Sequence, residues 1–245
     1  MNQTNGWIGP NGWMGRRSFL NLTGTSGMAL VAAVAGSAFW SMRSEQAIAS
    51  PVLDPPNPDA ALKRLMDGNQ RFVTQKIKHP DQSKARMKEV AQAQHPFATV
   101  LSCADSRVAP EILFDEGIGD LFDVRVAGNI VIPEVLGSIE YAVEILGTPV
   151  LMVLGHERCG AVTAAVQGER LPGHMGSFVK AIKPVISKTK GQAGDPVDNA
   201  VVANVQYQIE KLKRSSTILS ARSQDGKLKI VGGRYDLDSG EVILI

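Results

Sequence analysis

Pro149-Val150-Leu151-Met152-Val153-Leu154 runs directly into Gly155-His156-Glu157-Arg158-Cys159-Gly160, and an alanine-rich stretch continues to Val166. Six apolar residues are too few for a helix and suit a strand buried on both faces, whereas the segment from Gly160 reads as a helix. A histidine and a cysteine three residues apart thus sit where a strand hands over to a helix. In open α/β sheets that junction is where ligand crevices form.

Moving towards the N-terminus, residues 96–102 (Pro-Phe-Ala-Thr-Val-Leu-Ser) form another short apolar run with β-branched members, and Cys103-Ala104-Asp105-Ser106-Arg107 follows it. The two segments contain both cysteines of the chain and one of its four histidines. Thiolate and imidazole are favoured zinc ligands, and a catalytic zinc keeps three protein ligands and one open position. Cys103, His156 and Cys159 supply that set. Asp105 and Arg107 lie just beyond the first ligand, where a carboxylate can orient a nucleophile and a guanidinium can orient the carboxylate. Because Cys103 and His156 are far apart in sequence, two adjacent strand ends must bring them together.

The other segments extend the same alternation. Residues 58–74 and 83–94 have apolar positions at helical spacing, a short helix is expected at 110–115, and 121–126 reads as a second strand. Residues 133–146 carry Val135, Leu136, Ile139, Ala142, Val143 and Leu146 on one face, with Pro133 at the start and Gly147 just past the end. A short helix at 177–188 is expected inside a loop broken by Pro172, Gly173, Gly176 and Pro184. An amphipathic helix follows at 197–213, and a terminal hairpin joins 228–236 to 241–245 through Asp238-Ser239-Gly240. The expected fold is α/β: a mostly parallel sheet with helices on both faces and an antiparallel C-terminal edge.

Residues 1–49 read as a leader. Arg16-Arg17-Ser18-Phe19-Leu20 is a twin-arginine motif, a charge-free run follows to Met42, and Ala47-Ile48-Ala49 offers a signal-peptidase site. Residues 50–57, rich in proline, form a linker, and 58–245 form the folded domain. Export to a periplasmic or equivalent extracytoplasmic compartment is expected, with no membrane attachment after cleavage; a retained anchor is the alternative. Without residues 1–49 the chain has 23 basic and 23 acidic residues, since Arg16, Arg17, Arg43 and Glu45 are removed. That balance argues against a nucleic-acid partner.

These residues resemble the β-class carbonic anhydrases from about Pro58 to the C-terminus. The resemblance rests on C-A-D-S-R at 103–107, Gly128-Asn129, I-E-Y-A at 139–142 and G-H-x-x-C-G at 155–160. It implies one zinc ion per chain on Cys103, His156 and Cys159, and reversible hydration of carbon dioxide to bicarbonate and a proton by a zinc-bound hydroxide. Asp105 would hold that hydroxide and Arg107 would hold Asp105. It also matches Gln94, Phe122 and Tyr141 to substrate-pocket positions and implies a homodimer or higher homo-oligomer, with the site at the subunit contact. The Gly160 N–H, at a helix start, is a further anion donor. Val100 stands where bicarbonate-locked members of the family carry tryptophan, although Arg125 and Tyr141 match the other two positions of that lock. No proton shuttle is assigned among His79, His95 and His174. Two other readings remain open from sequence. One is a same-fold hydrolase of carbon disulfide or carbonyl sulfide. The other is an exported binding protein without metal, stapled by a Cys103–Cys159 disulfide.

Overall fold

The computed structural model describes residues 57–245; the twin-arginine motif, the apolar run, the cleavage site and the linker up to residue 56 lie outside the described residues. Asn57 caps the first helix, its side-chain oxygen accepting the N–H groups of Asp59 and Ala60 at 2.7 and 3.3 Å, and Pro58 occupies the first helical position. The helices and strands run α1 (Pro58–Val73), α2 (Lys84–Val90), β1 (Ala98–Ser102), α3 (Pro110–Leu113), β2 (Leu121–Arg125), α4 (Pro133–Glu144), β3 (Val150–His156), α5 (Gly160–Gln167), α6 (Gly176–Thr189), α7 (Pro196–Ser215), α8 (Thr217–Gln224), β4 (Lys229–Tyr235) and β5 (Val242–Leu244). One sheet has the order β2-β1-β3-β4-β5, parallel except for β5.

Alternation along the central strand builds the two cores. Val150, Met152 and Leu154 of β3 join Ala61 and Leu65 of α1, Leu113 and Phe114 on one face. Leu151 and Val153 join Val135, Ile139 and Val143 of α4, Val205 and Leu212 of α7, and Leu219 of α8 on the other. With helices covering both faces, all seven residues of β3 are buried, which is why the strand reads as a continuous apolar run. A Cβ at Gly155 would lie 2.6 Å from Val205, so glycine there lets α7 rest on the strand just before the first ligand of that loop.

Three details depart from the sequence reading, and the helix expected at 177–188 is found. β3 extends to His156, which is therefore the last residue of the strand and not part of the following turn. α2 ends at Val90 and leaves Gln94 in the loop before β1. α6 matches the helix expected at 177–188 and continues through Pro184, because Ile182, Val185 and Thr189 are buried and its contacts with α5 and α7 outweigh one missing backbone hydrogen bond. α8 has only Leu219 buried, too little apolar periodicity to be visible in sequence. Among the described residues no helix is long and apolar enough to cross a membrane.

Candidate metal centre

Because β1 and β3 are parallel neighbours with Ser102 opposite Leu154, their C-terminal ends carry Cys103 and His156 to the same edge of the sheet. Arg158 then takes a left-handed conformation (φ 50°), turning the chain within three residues so that Cys159 stands beside them at the N-cap of α5. One ligand atom from each of Cys103, His156 and Cys159 lies within 4.8 Å of the others, and all three residues are buried.

The two sulfurs are 4.0 Å apart and unjoined. A disulfide needs about 2.05 Å, whereas two thiolates on a tetrahedral zinc at about 2.3 Å each are about 3.8 Å apart. The disulfide-stapled reading is thereby overturned. His156 Nδ1 lies 2.8 Å from the Glu157 carbonyl; a carbonyl only accepts, so Nδ1 carries the proton and Nε2 keeps its lone pair. Nε2 is buried and has no hydrogen-bond partner. Two thiols and an orphaned imidazole nitrogen fit a borderline-soft cation such as zinc.

The electrostatics agree. The hydrogen bond from Cys159 lowers the Cys103 thiol to about 4, with contributions from His156 and the Gly128 N–H. The same bond, together with burial, pushes Cys159 up. Cys103 is thus poised as a thiolate, and a cation is needed to ionise both. Asp105 lies beside this centre, with Oδ2 3.9 Å from His156 Nε2. Arg107 grips its carboxylate through Nε and Nη2 at 2.9 and 2.8 Å and through its own backbone N–H at 3.0 Å. These contacts hold Asp105 well below the usual carboxylate range. Arg125 ties down the backbone of the same loop, donating to the carbonyls of Cys103 (3.3 Å) and Asp105 (2.7 Å). A second group of carboxylates, Glu157, Asp236 and Asp238, also lies close together, but each is already paired with Arg158 or Arg234.

The remaining expected site residues are dispersed. Gly160 opens α5 with free space over it. Phe122 stands opposite Thr99, four strand positions before Cys103 and so about 13 Å away. It packs on Tyr141, with ring centroids 6.2 Å apart, and Tyr141 is 46% exposed. Gln94 is exposed on its loop. The register thus sets Phe122 towards the far end of β1 from Cys103, with Tyr141 packed on it. Val100 is fully buried in the apolar core. Two residues that sequence reasoning missed are Asn204 and Gln208, polar amides at core positions of α7; their place in the apolar period of 197–213 was the available signal.

A family model described as "Carbonic anhydrase" matches residues 98–242, a span that includes all three candidate ligands. The chain belongs to the β-class carbonic anhydrase family. Carbonic anhydrase 2 of Mycobacterium tuberculosis is 42% identical over 192 residues, covering 77% of this chain and 93% of that protein. Among solved structures, the β-carbonic anhydrase CcaA superposes with a TM-score of 0.60 at 26% identity, covering 75% of this chain and 94% of that one. A chain from the two tetrameric β-carbonic anhydrases of Sordaria macrospora gives 0.60 at 26% identity, covering 65% and 85%. This carbonic anhydrase is thus an enzyme, and the binding-protein reading is set aside.

Proposed function

We propose that Cys103, His156 and Cys159 hold one zinc ion and that this centre hydrates carbon dioxide reversibly to bicarbonate and a proton. The observation that carries the reading is the buried, unpartnered Nε2 of His156 beside two free sulfurs. When bound, zinc supplies a Lewis acid that lowers the pKa of water towards neutrality. Asp105, kept ionised by Arg107, can only accept a hydrogen bond. It would accept a hydrogen bond from the O–H that attacks, leaving that oxygen's lone pair to face the carbon of the substrate. The Gly160 N–H, at the positive end of α5, favours the negative charge that develops on bicarbonate.

Gln94, Phe122 and Tyr141 enter this reading as contributions to the site of a second copy, which the place of Phe122 towards the far end of β1 from Cys103, with Tyr141 packed on it, supports. A homodimer is the minimum assembly. The expected export completes the proposal: residues 1–49 are removed as a twin-arginine leader, residues 50–57 are a linker, and residues 58–245 act outside the cytoplasm.

Metal analysis and stopped-flow hydration on the purified protein test the centre. One zinc per chain, with hydration lost on chelation and restored by zinc, is expected; a metal-free protein that turns over carbon dioxide refutes it. Mass spectrometry of the mature N-terminus tests the leader, with Ser50 as the expected first residue and a chain still starting near Met1 as the contrary result.

A further inference from the structure

α7 buries two amide side chains where its apolar period would be met by leucine or methionine: Asn204 is 1% and Gln208 0% exposed. Their hydrogen bonds form one continuous run. The Val131 N–H donates to Gln208 Oε1, and Gln208 Nε2 donates to Asn204 Oδ1, each at 2.9 Å. Asn204 Nδ2 donates to the Gly128 carbonyl at 2.9 Å, and the Gly128 N–H donates to Cys103 Sγ at 3.4 Å. The run starts on one side of the Ala127–Asn129 turn, passes through α7, returns to that turn and ends on a candidate metal ligand.

The turn itself has little freedom. Gly128 is left-handed (φ 73°, ψ 18°), and a Cβ there would lie 2.7 Å from Ile182 and 3.2 Å from Ala161. α6 and α5 therefore press on one side of the turn, while Asn204 and Gln208 hold its carbonyl and the N–H of Val131. A buried amide is costly unless its groups are paired. Here both side chains have a donor and an acceptor engaged, so the two amides carry little penalty and fix one geometry.

We propose that Asn204 and Gln208 are positioning residues for the metal centre: they lock the Gly128 turn so that its N–H aims at the Cys103 sulfur and tunes that ligand. The inference rests on the zinc reading above. A hydrogen bond to a thiolate withdraws charge from sulfur and orients it; losing that bond leaves the ligand more mobile and a stronger electron donor. Partners of this kind typically change metal affinity about 10- to 100-fold.

Asn204→Leu keeps the branching of the side chain and removes the donor to Gly128; Gln208→Met keeps the length of the chain and removes the donor one link further away. Each is compared with the parent and with Leu65→Ala, a cavity in the core on the opposite face of the sheet. Zinc release from the loaded protein to a chromogenic chelator is timed. The cobalt(II)-substituted proteins are scanned for their sulfur-to-metal charge-transfer band. Asn204→Leu is expected to release zinc about 10- to 100-fold faster and to move the band to longer wavelength. Gln208→Met should change both in the same direction by less, and Leu65→Ala should change neither at a matched loss of thermal stability. If Asn204→Leu does not fold, Gln208→Met decides alone. Parent-like release and parent-like bands in the folded variants would overturn the positioning role and leave the zinc reading intact. A parent that takes up no zinc would overturn both.

Discussion

Asp123 lies on the edge strand β2, opposite Val100, with both carboxylate oxygens buried and unpartnered. Burial, reinforced by nearby Glu111 and opposed by Arg125, pushes its carboxyl from an ordinary 3.8 up to about 8. The folded chain therefore holds a proton between those values that the unfolded chain has released. Stability is undisturbed below 3.8 and falls as pH rises towards 8. One pH unit in this window costs about 1.36 kcal/mol, which sets a ceiling of about 4 kcal/mol at pH 7. The residue as a whole is only partly enclosed, so the expected effect is smaller, about 1–3 kcal/mol. Asp123→Asn removes the titration and keeps the shape. Denaturant unfolding of zinc-loaded parent and variant from pH 4 to pH 8 should give curves that diverge with rising pH, the variant becoming relatively more stable. Parallel curves with a constant offset would refute the account, because an uncharged structural effect has no such slope.

Other perturbations act at the centre itself. Arg107→Ala should retain zinc and lose about 10- to 100-fold in turnover, since the two guanidinium hydrogen bonds to Asp105 would be lost and only the backbone N–H bond would remain; normal stopped-flow rates in that protein would refute the role of Arg107. Cys159→Ser should carry far less than one zinc per chain by metal analysis, with turnover falling in proportion, because a hydroxyl is a poor replacement for a thiolate on zinc. Gly128→Ala should destabilise the fold by about 1–3 kcal/mol, because the added methyl meets Ile182 at 2.7 Å in a left-handed conformation; an unchanged unfolding midpoint would count against the tight fit described for that turn.

Much of this protein is legible locally. The β3 run, the strand-to-ligand-to-helix junction at 155–160 and the face of α4 announce themselves through periods that depend only on near neighbours. The identity of the candidate ligands is likewise a matter of residue type, since the chain has only two cysteines and they flank adjoining segments of the sheet. Elements whose order comes from distant packing were less legible. α8 has one fully committed apolar contact, at Leu219, and is not among the elements expected from sequence.

From sequence alone came the residue types of a candidate metal centre, the α/β alternation that gathers them and the carboxylate–guanidinium pair beside the first candidate ligand. Only tertiary structure decided that the sulfurs stand 4.0 Å apart unjoined, that His156 Nε2 is the orphaned nitrogen, that Phe122 pairs with Thr99 and packs on Tyr141, and that two amides of α7 reach Cys103 through Gly128. Side-chain period and residue chemistry belong to short stretches of chain. Strand register, the protonated side of a ring and the end point of a hydrogen-bond run exist only once remote segments have been brought together and closed off from water.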